Sequence, residues 1–176
     1  AGRPDDPRAL VLVADAAYGA GDIAMAVRLA RTAADAAHEP ALLCEALSVL
    51  GRSTFAADPA ASDAVLRRVA QVAAEHGLLH WRVQALFGLG SHEHTRGDPV
   101  APSLTAAREL ALEAGMLVVV VQADLVRANA ILLVNGPLAA LPLLHAITER
   151  AERLRLTGLQ AMAELIMAID AGLAGD

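Results

Sequence analysis

Residues 10–34 read LVLVADAAYGAGDIAMAVRLARTAA, two alanine- and leucine-rich segments of helical length on either side of Gly21-Asp22. In the first segment, the apolar residues that share one helical face are Leu10, Val13, Ala14 and Ala17. The second segment has a comparable face, made of Val27, Ala30, Ala33 and Ala34. This stretch therefore predicts a helical hairpin.

The turn signal of this hairpin recurs along the chain, at intervals of roughly 36 to 40 residues. Its copies are Gly21-Asp22, Asp58-Pro59, Gly97-Asp98, Asn135-Gly136 and Gly175-Asp176. Such a period is typical of a solenoid, in which each hairpin buries its apolar face against the next. We therefore predict an all-α, right-handed superhelix of four hairpins plus one unpaired helix, as a single segment over residues 1–176.

Nine helices are expected, at about 6–18, 22–37, 40–56, 60–76, 79–96, 101–114, 117–134, 137–156 and 159–173. Glycines at 77 and 115 suit helix C-terminal ends, and prolines at 40, 59, 99 and 137 suit helix boundaries. Candidate N-terminal caps are Asp6, Asp22, Asp58 and Asp98. The valine run at 118–121 favours a strand, but an isolated strand would lack a partner, so we expect a buried helix start.

Composition limits the function. The chain is 56% hydrophobic but only 2% aromatic, and its net charge of −6 argues against nucleic-acid binding. Because it contains no lysine, it cannot supply a phosphate-binding loop or a Schiff base. The single cysteine, Cys44, fits a reducing cytoplasm and is expected to be a buried, inert thiol. Polar residues follow the most apolar stretch, 116–121, so no membrane span is expected.

Four histidines lie close together in the sequence, and they are the candidates for a metal site. His76 and His80 have i, i+4 spacing, but Gly77 between them is expected to end the helix. His92 and His94 would point to opposite sides of a helix. We therefore predict no metal site, no cofactor and no catalytic residues.

Several motifs resemble the tetratricopeptide repeat. Leu50-Gly51 and Leu89-Gly90 stand at its Leu-Gly positions, Gly21-Asp22 and Gly97-Asp98 at its turn, and Ala26 and Ala33 at small positions of its second helix. A glycine inside a helix costs about 1 kcal/mol relative to alanine. Gly51 and Gly90 are therefore expected at close helix crossings.

The segments AARELALEAG (106–115) and RLRLTGL (153–159) resemble the repeat region of large actinobacterial LuxR-type and MalT-like transcriptional regulators. That resemblance implies a cytoplasmic, non-catalytic module that recognises a protein or peptide in a concave groove. Carrying the repeat's groove positions over in register gives Asp15, Tyr18, Glu45, Ser48, Arg52, Phe55, Gln84, Phe87, Ser91, His94, Gln122 and Asn129.

Two alternatives remain open for this module. One is a sensor of a small effector, in which Tyr18, Phe55, Trp81 and Phe87 would stack on the ligand. The other is an architectural spacer between an NTPase domain and a DNA-binding domain. The chain begins without methionine and is expected to be a piece of a larger protein.

The last predicted helix carries an apolar stripe without a hairpin partner. Its members are Met162, Leu165, Ile166, Ile169 and Leu173. An exposed apolar stripe favours association. We therefore predict a homodimer formed through this helix.

Overall fold

The computed structural model describes residues 6–98 and 101–173, with side chains as far as residue 168. Within this part every regular element is an α-helix and no strand occurs, which confirms the all-α prediction. The helices are α1 (Pro7–Gly19), α2 (Ile23–Ala36), α3 (Pro40–Thr54), α4 (Pro59–Glu75), α5 (Leu79–Thr95), α6 (Pro102–Glu113), α7 (Leu117–Asn135), α8 (Pro137–Arg153) and α9 (Thr157–Leu173).

The predicted helix boundaries are close to the observed ones, and the largest difference is at α8. This helix ends at Arg153 rather than at residue 156. Its C-cap is Leu154, whose N–H donates to the Arg150 carbonyl, while the N–H of Arg155 donates to the Glu152 carbonyl. Arg155 then has a φ of 55°, in the left-handed region, so the chain leaves the helix earlier than the periodicity predicts.

Three of the four predicted aspartate caps are confirmed. The carboxylates of Asp6, Asp22 and Asp58 accept hydrogen bonds from backbone N–H groups at the starts of α1, α2 and α4. The prediction for Asp98 is wrong. Its carboxylate accepts from the N–H of Ala101 (3.2 Å), and Ala101 itself is the N-cap, because Pro102 occupies the first helical position.

The recurring turn signals lie between helices, as predicted. Gly21 follows α1, Gly97 follows α5 and Gly136 joins α7 to α8, and their φ angles are 83°, 84° and 80°. These angles suit glycine because it has no Cβ. Asp58-Pro59 opens α4. The copy at residues 175–176, like the proline at 99, lies outside the described residues.

The chain divides into two compact units, Ala1–His92 and Glu93–Asp176, and each is described by itself. In unit 1, α1 packs on α2 and α3, α2 on α3, and α3 on α4. In unit 2, α6 packs on α7, α7 on α8 and α9, and α8 on α9. Successive helices thus pack on one another from α1 to α4 and from α6 to α9, and α1·α3 and α7·α9 contacts join helices two apart.

The predicted close crossing at Gly51 is confirmed. A Cβ added at Gly51 would lie 3.0 Å from Cδ2 of Leu66, which is on α4. A Cβ added at a second glycine, Gly88 on α5, would lie equally close to the other methyl group of Leu66, 3.0 Å from its Cδ1. Gly90 is buried, and its predicted crossing stays a prediction. Leu66 therefore packs closely between α3 and α5, each of which has a glycine at the point of contact.

The valine run begins α7 as a helix, with Val119, Val120 and Val121 buried, so the helical prediction is confirmed. Among the described helices, α7 alone is long and apolar enough to cross a bilayer by length and composition. The same helix carries Asp124, which is buried against neighbouring helices of unit 2. The sequence suggested that the polar residues after residue 121 would end the apolar segment. Instead, α7 continues through them to Asn135 as one apolar helix.

Candidate functional site

A cavity of about 420 Å³ lies in unit 1 and is lined by α3, α4 and α5. Four of the predicted groove residues meet there: Ser48 and Arg52 from α3, and Gln84 and Phe87 from α5. The remaining lining residues are Leu66, His80, Trp81, Ala85, Gly88 and His92. The cavity therefore has an apolar and aromatic wall with hydrogen-bonding groups beside it.

The apolar wall depends on Gly88. A side chain at this position would collide with Leu66, so glycine lets α5 lie close to α4. Trp81 contributes to the cavity and also packs against the buried cluster around Cys44 and Val69. The wall is thus anchored in the core and is held in place before any ligand binds.

The polar side chains of the cavity differ in how many of their hydrogen-bonding groups are already paired within the protein. The Ser48 hydroxyl donates to the Cys44 carbonyl at 2.7 Å, which leaves its oxygen lone pairs as acceptors. The Gln84 side chain is half-buried and carries both an amide donor and a carbonyl acceptor. Gln84 is therefore the residue best suited to pair with a peptide group of a ligand.

Two further predicted residues, Asp15 and Tyr18, contact the guanidinium of Arg52. Arg52 Nη2 donates to Asp15 Oδ1 at 2.8 Å, and the Arg52 guanidinium carbon lies 5.3 Å from the centre of the Tyr18 ring. This geometry is a cation–π contact. Both members of the ion pair are about half exposed, so the pair orients Arg52 at the cavity more than it stabilises the fold.

Beside the cavity, Phe55 stacks on His92 with ring centroids 3.8 Å apart. Nδ1 of His92 lies 2.7 Å from Oδ1 of Asp63, and both side chains are largely buried. The contact joins α4 to α5, while Phe55 follows directly after α3. Phe55, predicted as a groove residue, instead fixes a wall residue of the cavity.

Two further predicted residues of unit 1 lie apart from the cavity or are engaged within their helix. Glu45 lines a smaller cavity of about 300 Å³, together with Arg8, Glu39 and Trp81. The Ser91 hydroxyl donates to the Phe87 carbonyl at 2.9 Å.

The remaining predicted groove residues belong to unit 2. His94 Nε2 lies 3.5 Å from Nδ2 of Asn129, and His94 borders a cavity of about 140 Å³ that also includes Asp98 and Arg127. Gln122 is half-buried on α7. These residues form no part of the unit 1 cavity.

Among the described side chains, no three histidines, cysteines or acidic residues are placed to hold a metal ion. His76 caps α4 whereas His80 lies on α5, edge-on to Trp81 with ring centroids 5.4 Å apart. Burial raises the pKa of the Cys44 thiol, which disfavours the reactive thiolate. The described cavity offers stacking, apolar contact and hydrogen bonding.

No protein-family model matches this chain. No curated protein sequence matches it either.

Sequence reasoning missed five residues that line this site, namely Leu66, His80, Ala85, Gly88 and His92. Gly88 stands two residues before Gly90, and a second glycine inside a helix indicates close packing. No signal in the sequence connects His92 with Asp63, because the two residues are far apart along the chain.

The C-terminal stripe is only partly exposed in the described residues. Met162 and Leu165 are 52% and 59% exposed, whereas Ile166 packs against the core of unit 2. The side chains of Ile169 and Leu173 lie outside the described part. Among the described side chains of the predicted dimer surface, Met162 and Leu165 are therefore the exposed ones.

Proposed function

We propose that this chain is a non-catalytic recognition module of a bacterial transcriptional regulator, built as a tetratricopeptide-like superhelix. Its partner is a segment of another protein, which binds at the cavity lined by α3, α4 and α5. Within each unit, the contacts between successive helices from α1 to α4 and from α6 to α9, and those between helices two apart, support the superhelical reading. The regulator assignment rests on the resemblance of residues 106–115 and 153–159.

The observation that carries the proposal is the meeting of Ser48, Arg52, Gln84 and Phe87 at one cavity. These residues were selected by repeat register on two separate helices. Cavities of roughly 300–1,000 Å³ with apolar walls and a few polar groups are typical of binding sites.

A protein segment suits this lining better than a free polar metabolite does. One apolar side chain would fill the space against Leu66, Trp81 and Phe87. The peptide group beside it would pair with the Gln84 amide, and Ser48 would accept a further hydrogen bond. Buried aromatic and apolar contacts of this kind supply most of the affinity in protein recognition.

The experiment uses Trp81, which is the only tryptophan in the chain and lines the cavity. A library of short peptides with single apolar anchors, and a panel of sugars and other metabolites, are screened by Trp81 emission and thermal stability. We expect peptides to shift both signals, since a ligand that binds only the folded state stabilises it. Gln84→Leu should weaken the peptides about tenfold, through loss of a hydrogen bond within the site.

Gln71→Leu is the matched control, because Gln71 is exposed on α4 and bonds Glu75 rather than the cavity. Its peptide affinity should equal that of the wild type. Responses to metabolites alone would favour the effector-sensor alternative. If neither class responds, or if Gln84→Leu binds normally, the cavity is not the recognition site.

We also propose that the module self-associates through α9, where Met162 and Leu165 remain exposed. Two exposed apolar side chains on one helix are the support for this, since a two-fold dimer would bury them against their copies.

A further inference from the structure

Three arginines from three successive helices of unit 2 surround one buried carboxylate. Asp124, in the middle of α7, is only 2% exposed. Its oxygens accept from Arg108 on α6 (2.6 and 3.2 Å), from Arg150 on α8 (3.1 Å) and from Arg127 on α7 (3.4 Å). We call these four residues the arginine cluster.

The cluster contains three positive charges, more than the single negative charge of Asp124 requires for neutralisation. Arg108 alone satisfies both carboxylate oxygens in a bidentate pair, and this hydrogen bond is the main reason that the pKa of Arg108 is raised. Arg127 and Arg150 add two further cations. Within the described part of the chain, neither of them has an ion pair with any other carboxylate.

The excess charge is local, in a chain whose net charge is −6. Glu109 also lowers the potential at Arg108, although its contribution there is the smallest of those acting on that group. Like charges held this close repel one another. Asp124 therefore acts as a positioning residue that holds three guanidinium groups together.

Arg127 and Arg150 reach the solvent, with 46% and 36% of their side chains exposed. Each guanidinium has five N–H donors in a planar fork, and each of these two gives one hydrogen bond to Asp124. The remaining donors match the tetrahedral oxygens of a phosphate group, for which arginine forks are well suited.

We propose that the arginine cluster binds a phosphate dianion, either inorganic phosphate or the phosphate of a monoester. The anion contacts Arg127 and Arg150 from the solvent side, while Asp124 fixes both guanidinium groups from within. The bound anion offsets the excess positive charge. This inference is independent of the recognition cavity in unit 1.

The test is a ³¹P NMR titration of the full chain with inorganic phosphate at constant ionic strength, followed by one with phosphoserine. We expect saturable shifts with both ligands, and phosphoserine should displace inorganic phosphate. Arg127→Gln and Arg150→Gln, tested separately, should each weaken binding about tenfold or more, because each removes a charge-assisted hydrogen bond.

Arg153→Gln is the matched control, since Arg153 is exposed near the end of α8 and is not paired with Asp124. It should bind phosphate as the wild type does. Arg127→Gln provides the second readout should Arg150→Gln unfold, because Arg127 is the more exposed of the two. Three results would overturn the proposal. They are the absence of saturable binding, wild-type affinity in both Arg127→Gln and Arg150→Gln, and a loss in Arg153→Gln as large as that in the cluster variants. Binding of inorganic phosphate without phosphoserine would restrict the site to the free ion.

Discussion

Because α3 lies close to Leu66, we predict that Gly51→Ala destabilises the wild-type protein but stabilises the Leu66→Ala variant. In Gly51→Ala, the new Cβ would lie 3.0 Å from Leu66 Cδ2 and 3.2 Å from Leu66 Cγ. Leu66 is buried and is also met closely by Gly88, so it has little room to move away. Removing the Leu66 side chain beyond its Cβ abolishes this collision.

Two opposing effects set the magnitude. Replacing a helical glycine by alanine stabilises a helix by about 1 kcal/mol. Overpacking of a filled core costs about 1–3 kcal/mol. Gly51→Ala should therefore lower the free energy of unfolding by about 0–2 kcal/mol in the wild type. In the Leu66→Ala background it should raise that free energy by about 1 kcal/mol.

The coupling between Gly51 and Leu66 is measured by a double-mutant cycle. Unfolding by urea is followed through Trp81, which lies in unit 1 and reports the stability of that unit. Leu66→Ala alone should cost about 2–5 kcal/mol. The expected coupling of about 1–3 kcal/mol is typical of residues in direct contact.

Gly19→Ala provides a control, because no atom lies within 4 Å of a Cβ added at the end of α1. Its effect should be the same with and without the Leu66 side chain. Stabilisation of about 1 kcal/mol by Gly51→Ala in both backgrounds would refute the close crossing, since only helix propensity would then be acting. Equal destabilisation in both backgrounds would contradict the role assigned to Leu66.

Three further predictions concern other parts of the chain. Asp22→Ala should lower the free energy of unfolding by about 1 kcal/mol through loss of an N-terminal cap, as measured by Trp81 fluorescence. Cys44 should react with an alkylating reagent at the rate of local opening, because the thiol is buried and its pKa is raised; fast labelling under native conditions would contradict this. The double variant Met162→Gln/Leu165→Gln should shift the chain from dimer to monomer in light scattering, and an unchanged mass would rule out this part of α9 as the interface.

Helices could be predicted from the sequence because the signals that specify them are local. Asp22 and Asp58 cap the helices that directly follow them, and Gly77 and Gly115 adopt positive φ just after helix ends. Tertiary contacts were harder to predict from the sequence than the helices were. Gly51 indicated that some helix passes close by, but only the structure identifies the neighbour as Leu66.

Four of the predicted groove residues line one cavity, and this grouping has a physical reason. Residues at equivalent positions of α3 and α5 meet at one cavity, which is why repeat register places Ser48 and Gln84 near each other. Repeat register does not predict which side chains contact one another. Phe55 thus stacks on His92, and Asp15 pairs with Arg52.

Asp124 shows how a local conflict in a sequence can mark a special site. A carboxylate in an apolar helix is costly to bury unless cations compensate it, so its position between Ala123 and Leu125 already implied a charged partner. The sequence offered fourteen arginines and no lysine, and it could not indicate which of them approach α7. Burial of one charge explains one arginine. The presence of Arg127 and Arg150 beside Arg108 is therefore more than the burial of Asp124 requires, and the proposed phosphate dianion would account for it.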